Sequence, residues 1–164
     1  MQKRSKIIRS GKIEIYLASL EDIFLLKSVS SRESDVVDCE NILSKTTLNW
    51  KTIYSEIKSQ ENNLFGVREN VILDHLEALE KRLETKIPIV KKLLNVVLEK
   101  SIVHAAKNPV TIKQIMEKID FPETTIRNKI HKLLKNKKLI KTNKNPLEVT
   151  ADKDGKIKKL ETTY

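Results

Sequence analysis

Residues 111–140 read TIKQIMEKIDFPETTIRNKIHKLLKNKKLI, and this stretch decides the fold. Ile112, Ile115, Met116 and Ile119 recur at helical spacing behind Thr111, whose hydroxyl suits an N-cap. Asp120-Phe121-Pro122 interrupts the pattern as a tight turn, and Pro122 suits the start of the next helix. That helix is expected over Glu123–Asn136. At about 100° per residue, Ile126, Ile130, Leu133 and Leu134 gather on one side. The opposite side carries Thr124, Thr125, Asn128, His131, Lys132 and Lys135, with Arg127 and Lys129 on the flanks. That outer side holds no acid after Glu123.

Working outward, Leu93–Ala106 reads as a preceding helix, with Leu94, Val97, Leu98, Ile102 and Ala105 apolar, and Asn108-Pro109-Val110 ends it. After the quoted stretch, Leu139-Ile140-Lys141, Leu147–Ala151 and Lys156–Leu160 read as short strands, with Asp152-Lys153-Asp154-Gly155 as a hairpin turn. Three short helices followed by a β-ribbon is the order of a winged helix-turn-helix. The segment resembles that family in its small polar pair Thr124-Thr125, then Ile126, Arg127, Leu133-Leu134 and Leu139-Ile140. Pro122 departs from the Ser or Thr often found at that cap.

The resemblance implies binding to double-stranded DNA. A helix in the major groove needs short polar groups for base edges and cations for phosphates. Thr124, Thr125 and Asn128 fit the first role, and Arg127, Lys129 and Lys132 the second. Lys144 and Lys153 fall on loops of the ribbon, where a wing reaches phosphate or the minor groove. Single-stranded RNA is a poorer match, because the module has only Phe121 and Tyr164 as aromatic platforms.

Charge agrees with this division. Residues 1–90 hold 14 Lys/Arg and 14 Asp/Glu, whereas residues 91–164 hold 18 and 8, so the whole net charge of +10 lies in the second part. Two domains are therefore expected, 1–90 and 91–164, the first mainly helical and the second a winged helix. The fold class is mainly α with a small β component. No apolar run is long enough to span a membrane, and no apolar segment follows the basic start at Met1–Arg9, so neither a spanning helix nor a signal peptide is expected. The lone Cys39 excludes an internal disulfide framework and suits a reducing cytoplasm.

In the first part, Lys12–Ala18 alternates as a strand with Ile13, Ile15 and Leu17 on a buried face. Ser19-Leu20-Glu21-Asp22 opens a helix continuing to Val29, and Ser34 or Asp35 opens another, with Val36, Cys39 and Leu43 on one face. Asn49–Ser59 carries Trp50, Ile53, Tyr54 and Ile57 at helical spacing. Val67–Thr85 carries the near-heptad stripe Ile72, Leu76, Leu79 and Leu83, expected to pack within the chain.

The run IEIYLASLEDIFLLKSVSSRESDVVDCENIL at 13–43 resembles the later part of an archaeal minimal nucleotidyltransferase-like domain. That family has a strand, a Ser-Pro-Glu-Asp helix start, a Lys, an Arg and a D-x-x-D helix in this order. Leu20 stands here where Pro is usual. Leu48-Asn49-Trp50 and Ile87-Pro88-Ile89 continue the likeness. The resemblance makes Lys27, Arg32, Asp35 and Asp38 a candidate residual phosphate or nucleotide site. From the residues alone, Asp35 and Asp38 read as acids of a helix's first turn paired to Arg32.

The family's catalytic Gly-Ser and D-x-D, which hold triphosphate and metal, precede the strand, and Met1–Gly11 contains neither. The chain is therefore expected to be no enzyme, with no catalytic residue, cofactor or metal site. His75, His104 and His131 are far apart in sequence and lack Cys or carboxylate partners at zinc spacing. A transcriptional regulator is the expectation. Its alternatives are a degenerate, truncated or partner-completed nucleotidyltransferase-related chain, and a protein-binding adaptor. Loss of the family's first strands would leave Lys12–Ala18 as an open edge, so a homodimer or a partner chain is expected at the first module.

Overall fold

The computed structural model describes residues 6–10, 12–30, 32–60, 69–144 and 147–152. It is mainly helical with a small sheet component. The chain divides into two compact units between Leu94 and Asn95, a few residues beyond Val90 and inside a helix. Among the described residues, no helix is long and apolar enough to cross a membrane.

The first unit opens with an antiparallel hairpin of β1 (Lys6–Ser10) and β2 (Ile13–Leu17). Helices α1 (Leu20–Lys27), α2 (Glu33–Lys45), α3 (Trp50–Ser59) and α4 (Glu69–Leu83) follow. Ser19 caps α1 by accepting from the Asp22 amide at 3.2 Å, and Asn49 caps α3 by accepting from Thr52. The stripes of α3 and α4 face inward as their spacing predicts. On α1, however, Leu20 and Leu26, expected at helical spacing with Ile23, are exposed, and Phe24 and Leu25 are buried instead. Phe24, Cys39, Ile53, Ile57, Ile72, Leu76 and Leu79 are buried, and Trp50 meets Phe24 edge-on at 5.6 Å. Glu21 accepts from the Asn49 amide at 3.0 Å, tying α1 to the start of α3.

The strand expectation needs correction. The alternation of Ile13, Ile15 and Leu17 is present, but all five residues of β2 are exposed. The strand has β1 beside it on one side, in register from Lys6 opposite Leu17 to Ser10 opposite Ile13, and in this two-stranded sheet its other edge has no strand partner among the described residues. A period of two sets which side chains share a face; it does not say whether anything covers that face.

The second unit is built from α5 (Val90–Ala105, shared with the first), β3 (Val110–Thr111), α6 (Ile112–Lys118), α7 (Glu123–Lys135), β4 (Leu139–Lys144) and β5 (Leu147–Ala151). Its sheet has the order β3-β5-β4, all antiparallel. The order of three helices followed by the β4–β5 ribbon is the order read from the sequence. Thr111 and Gln114 form a reciprocal capping box at the start of α6. Leu98, Ile102, Ile115, Ile126, Ile130, Leu133, Leu139 and Val149 form one buried core, with Phe121 and Leu134 partly buried against it. Ala151 donates to the Ala106 carbonyl at 2.7 Å, fastening β5 to the end of α5. The predicted turn at Asp152–Gly155 and the strand Lys156–Leu160 lie largely outside the described residues.

Candidate nucleic-acid interface

Helix α7 carries the candidate interface, and its inward side fixes which side chains point out. Ile126, Ile130 and Leu133 are buried, so Thr124, Thr125, Arg127, Asn128, His131, Lys132 and Lys135 are exposed. Pro122 occupies the N-cap of a helix that starts at Glu123 as expected, and supplies no side-chain bond. Its carbonyl instead accepts from Thr125 and Ile126 at 2.9 and 3.1 Å. From Thr124 to Leu147 the chain has eight Lys/Arg and no Asp/Glu. Among the described residues, no carboxylate pairs with Lys132 or Lys135.

Two of the expected phosphate-binding cations are engaged within the protein. Arg127 meets Glu123 one turn back, at 2.7 Å from Nε and 2.6 Å from Nη2, with both side chains more than half exposed. An exposed pair of this kind is worth little and opens readily. Lys129 differs. Its ammonium lies 2.8 Å from Glu99 of α5 and its side chain is only 15% exposed. Glu99 also accepts from Lys138. Burial works to raise the Glu99 carboxyl, but bonds from Lys129 and Lys138 outweigh it and hold the group below its usual range. Lys129 is thus a strut between α7 and α5, and its flank position on the helical wheel turns inward rather than toward solvent.

The helix ends in a left-handed cap. Lys138 donates to the Leu133 carbonyl at 2.9 Å and Lys137 to Leu134 at 3.1 Å, the paired bonds of a Schellman motif. Lys137 takes φ 59° there, at a place usually given to glycine. Lys137, Lys138, Lys141 and Lys144 are exposed between the end of α7 and the end of the β4 strand. Lys153 lies outside the described residues. Sequence reading named Lys144 but passed over Lys137 and Lys141; the acid-free run across helix and strand was the signal that includes them.

The candidate site of the first unit is assembled differently. Lys27 at the end of α1 donates to Asp35 Oδ1 at 2.8 Å and Asp38 Oδ2 at 2.6 Å on α2. These bonds, Asp35 first, raise the Lys27 ammonium well above its usual range, and bonds from Lys27 and Ser30 lower the Asp35 carboxyl. The expected pairing with Arg32 is not formed. Arg32 is exposed at the N-cap position of α2 and makes no ion pair with either acid among the described residues. Lys27, Asp35 and Asp38 are therefore brought together, with the charge of each acid already met by the lysine. On the same unit, Arg82 of α4 bonds Glu33 at 2.7 Å and Glu40 at 2.5 Å on α2.

Nearby, Cys39 is fully buried, and burial pushes its thiol up to about 11. Burial likewise lowers the His75 imidazole, whose Nε2 has no hydrogen-bond partner among the described residues. Among the described residues, no group of three His, Cys, Asp or Glu side chains is placed to hold a metal ion. Comparison of the chain with protein-family models, curated proteins and solved structures returns no match.

Proposed function

We propose that this protein binds double-stranded DNA through the outward face of α7 and the β4–β5 wing, as a regulator of transcription. The observation that carries this reading is an exposed face that combines short polar groups with cations that have no carboxylate partner among the described residues. Thr124, Thr125 and Asn128 lie toward its N-terminal end, Lys132 and Lys135 toward its C-terminal end, and no acid follows Glu123. Phosphate neutralisation supplies most of the affinity, and contacts from Asn128 and the threonines supply the sequence preference. Lys129 has no part in it, because its ammonium is held by Glu99.

The backbone at Lys137 supports the reading. A non-glycine residue held at φ 59° costs about 1 kcal/mol. Retaining lysine there places one more cation beside the recognition helix. The Arg127–Glu123 pair supports it too, since an exposed pair leaves Arg127 free to exchange a carboxylate for a phosphate.

The test begins by selecting a preferred site from random duplex DNA. Asn128→Ala and Lys132→Ala are then compared on that site and on unrelated duplex. Lys132→Ala should weaken both equally, whereas Asn128→Ala should cost about 1–3 kcal/mol on the selected site only. Equal losses from Asn128→Ala on both duplexes would remove it as a base reader. Failure to bind either duplex would leave the module as a protein-docking surface.

A further inference from the structure

Glu99 of α5 is one carboxylate shared by two lysines. Its Oε2 accepts from Lys129 of α7 at 2.8 Å, and its Oε1 accepts from Lys138, 39 residues along the chain. The two lysines sit in unlike surroundings. Lys129 is 15% exposed and Lys138 58% exposed, with Glu99 between them at 27%. A nearly buried ammonium needs a counter-charge, and losing that charge is costly. An ammonium in water needs none, and its ion pair is worth little. The single negative charge therefore balances Lys129, and Lys138 is the surplus cation of the three groups. When Lys138 leaves, Glu99 keeps Lys129, and no buried charge is left alone.

The backbone of Lys138 is fixed on both sides. Its amide donates to the Leu133 carbonyl at 2.9 Å, in the left-handed cap that ends α7. Its carbonyl accepts from the Asp152 amide at 3.2 Å, just past β5. The side chain thus starts from a rigid point where the helix passes into β4. A cation placed in advance loses less freedom on binding than one on a mobile segment.

We propose that Lys138 is a phosphate-binding residue held ready by Glu99, and that a phosphate of the DNA backbone displaces Glu99 from it on binding. The inference rests on the DNA-binding reading above and adds a contact to it. In the free chain the Glu99 carboxylate stands in for phosphate, since both offer an anionic oxygen to the same ammonium. On the duplex Lys138 turns to a phosphate oxygen while Lys129 stays with Glu99, so the tie between α7 and α5 is kept. The class of ligand follows from the surroundings. Lys138 lies within the run from Thr124 to Leu147, which holds eight Lys/Arg and no acid, and a row of cations suits a row of phosphates. Glu99 is then a positioning residue and a competitor. It does not touch the duplex, yet it sets how much of the Lys138 contact shows as affinity.

The test is duplex binding by the full chain and its variants, followed by fluorescence anisotropy over a salt series on a selected site and on unrelated DNA. Lys138→Ala should weaken both duplexes alike and lower the slope of log affinity against log salt by about 0.9. Lys138→Arg should keep the parental slope. Glu99→Gln should act in the other direction. It removes the competitor, so both duplexes should bind about two- to fivefold more tightly, the range of an exposed ion pair. The same variant should lower the urea midpoint, because Lys129 loses its counter-charge. Tighter binding by a less stable protein is a result that a merely structural role for Glu99 does not give. Combining Glu99→Gln with Lys138→Ala should erase the gain and match Lys138→Ala alone. A gain that survives in the double variant would trace it to the general field of one lost acid and overturn the proposal. An unchanged slope from Lys138→Ala would overturn it as well. That variant keeps its fold, because the side chain is exposed and backbone atoms alone hold the cap. Parental binding with Lys138→Ala unaffected removes this inference alone, whereas no parental binding removes the DNA reading with it.

Discussion

Lysines are used in opposite ways at the two candidate sites. Lys27 is closed in by Asp35 and Asp38, within 2.8 Å of each. Lys132 and Lys135 project from α7 with no carboxylate set against them among the described residues. Net charge follows the same line, with 14 acids matching 14 bases in residues 1–90 and ten more bases than acids beyond. A closed triad fixes two helices together and leaves little field for a ligand. An open cationic face on a rigid helix does the reverse: it contributes nothing to folding and attracts a polyanion. The first unit therefore closes its charges on one another, whereas the second leaves cations open on the face for which DNA binding is proposed.

The largest effect tests whether α7 depends on the core beneath it. Ile130 is fully buried among Ile126, Leu133 and Ile115. Ile130→Ala should cost about 2–5 kcal/mol of the second unit's stability by urea denaturation. It should also abolish DNA binding near the unfolding midpoint. A loss within a few tenths of a kcal/mol would mean that the recognition face does not rest on this packing.

Neutralising the open face comes next. Lys132→Ala with Lys135→Ala should lower the slope of log affinity against log salt by about 2, at roughly 0.9 per phosphate contact. The urea midpoint should not move, because both side chains are exposed. An unchanged slope would place these cations away from the backbone of the duplex.

Lys137→Gly separates stability from recognition at one residue. Relief of the left-handed strain at φ 59° should raise stability by about 1 kcal/mol. The same change removes a charge, so DNA affinity should fall while thermal stability rises. A variant neither more stable nor weaker in binding would refute the role given to this lysine.

The smallest effect belongs to the closed triad, for which a shift along the pH axis is the readout. The Asp35 carboxyl lies below its ordinary value of 3.8 in the folded chain. A depressed acid contributes stability above its unfolded value, and the contribution fades as pH falls through the folded value. Lys27→Met should therefore lower the urea midpoint at neutral pH, with the gap closing at pH well below 3.8. A gap that widens in acid would contradict the pairing.

Much of this was legible in the residues. The apolar periods of α6 and α7 announced two helices because burial in so small a core enforces them at Ile115, Ile126 and Ile130. Thr111 and Gln114 announced the start of α6 through chemistry that is local. What escaped was long-range. Lys129 lies on the flank of the helical wheel, and only the packing of α5 beside α7 brings Glu99 within reach. Arg32 is nearer in sequence to Asp35 than Lys27 is, yet the turn between α1 and α2 delivers Lys27. The strand β1 also went unread, although Ser10-Gly11 between Lys6–Arg9 and Ile13–Leu17 is a turn signal. Its apolar residues Ile7 and Ile8 are adjacent between the two cations Lys6 and Arg9, so it shows no alternation to read.

The most direct measurement is fluorescence anisotropy of a labelled random duplex titrated with the full chain over a series of salt concentrations. The account predicts micromolar affinity at low salt and a steep negative slope of log affinity against log salt, set by several phosphate contacts. Absence of binding at the lowest salt would contradict it, and would make the acid-free face of α7 a solvated surface rather than a recognition surface.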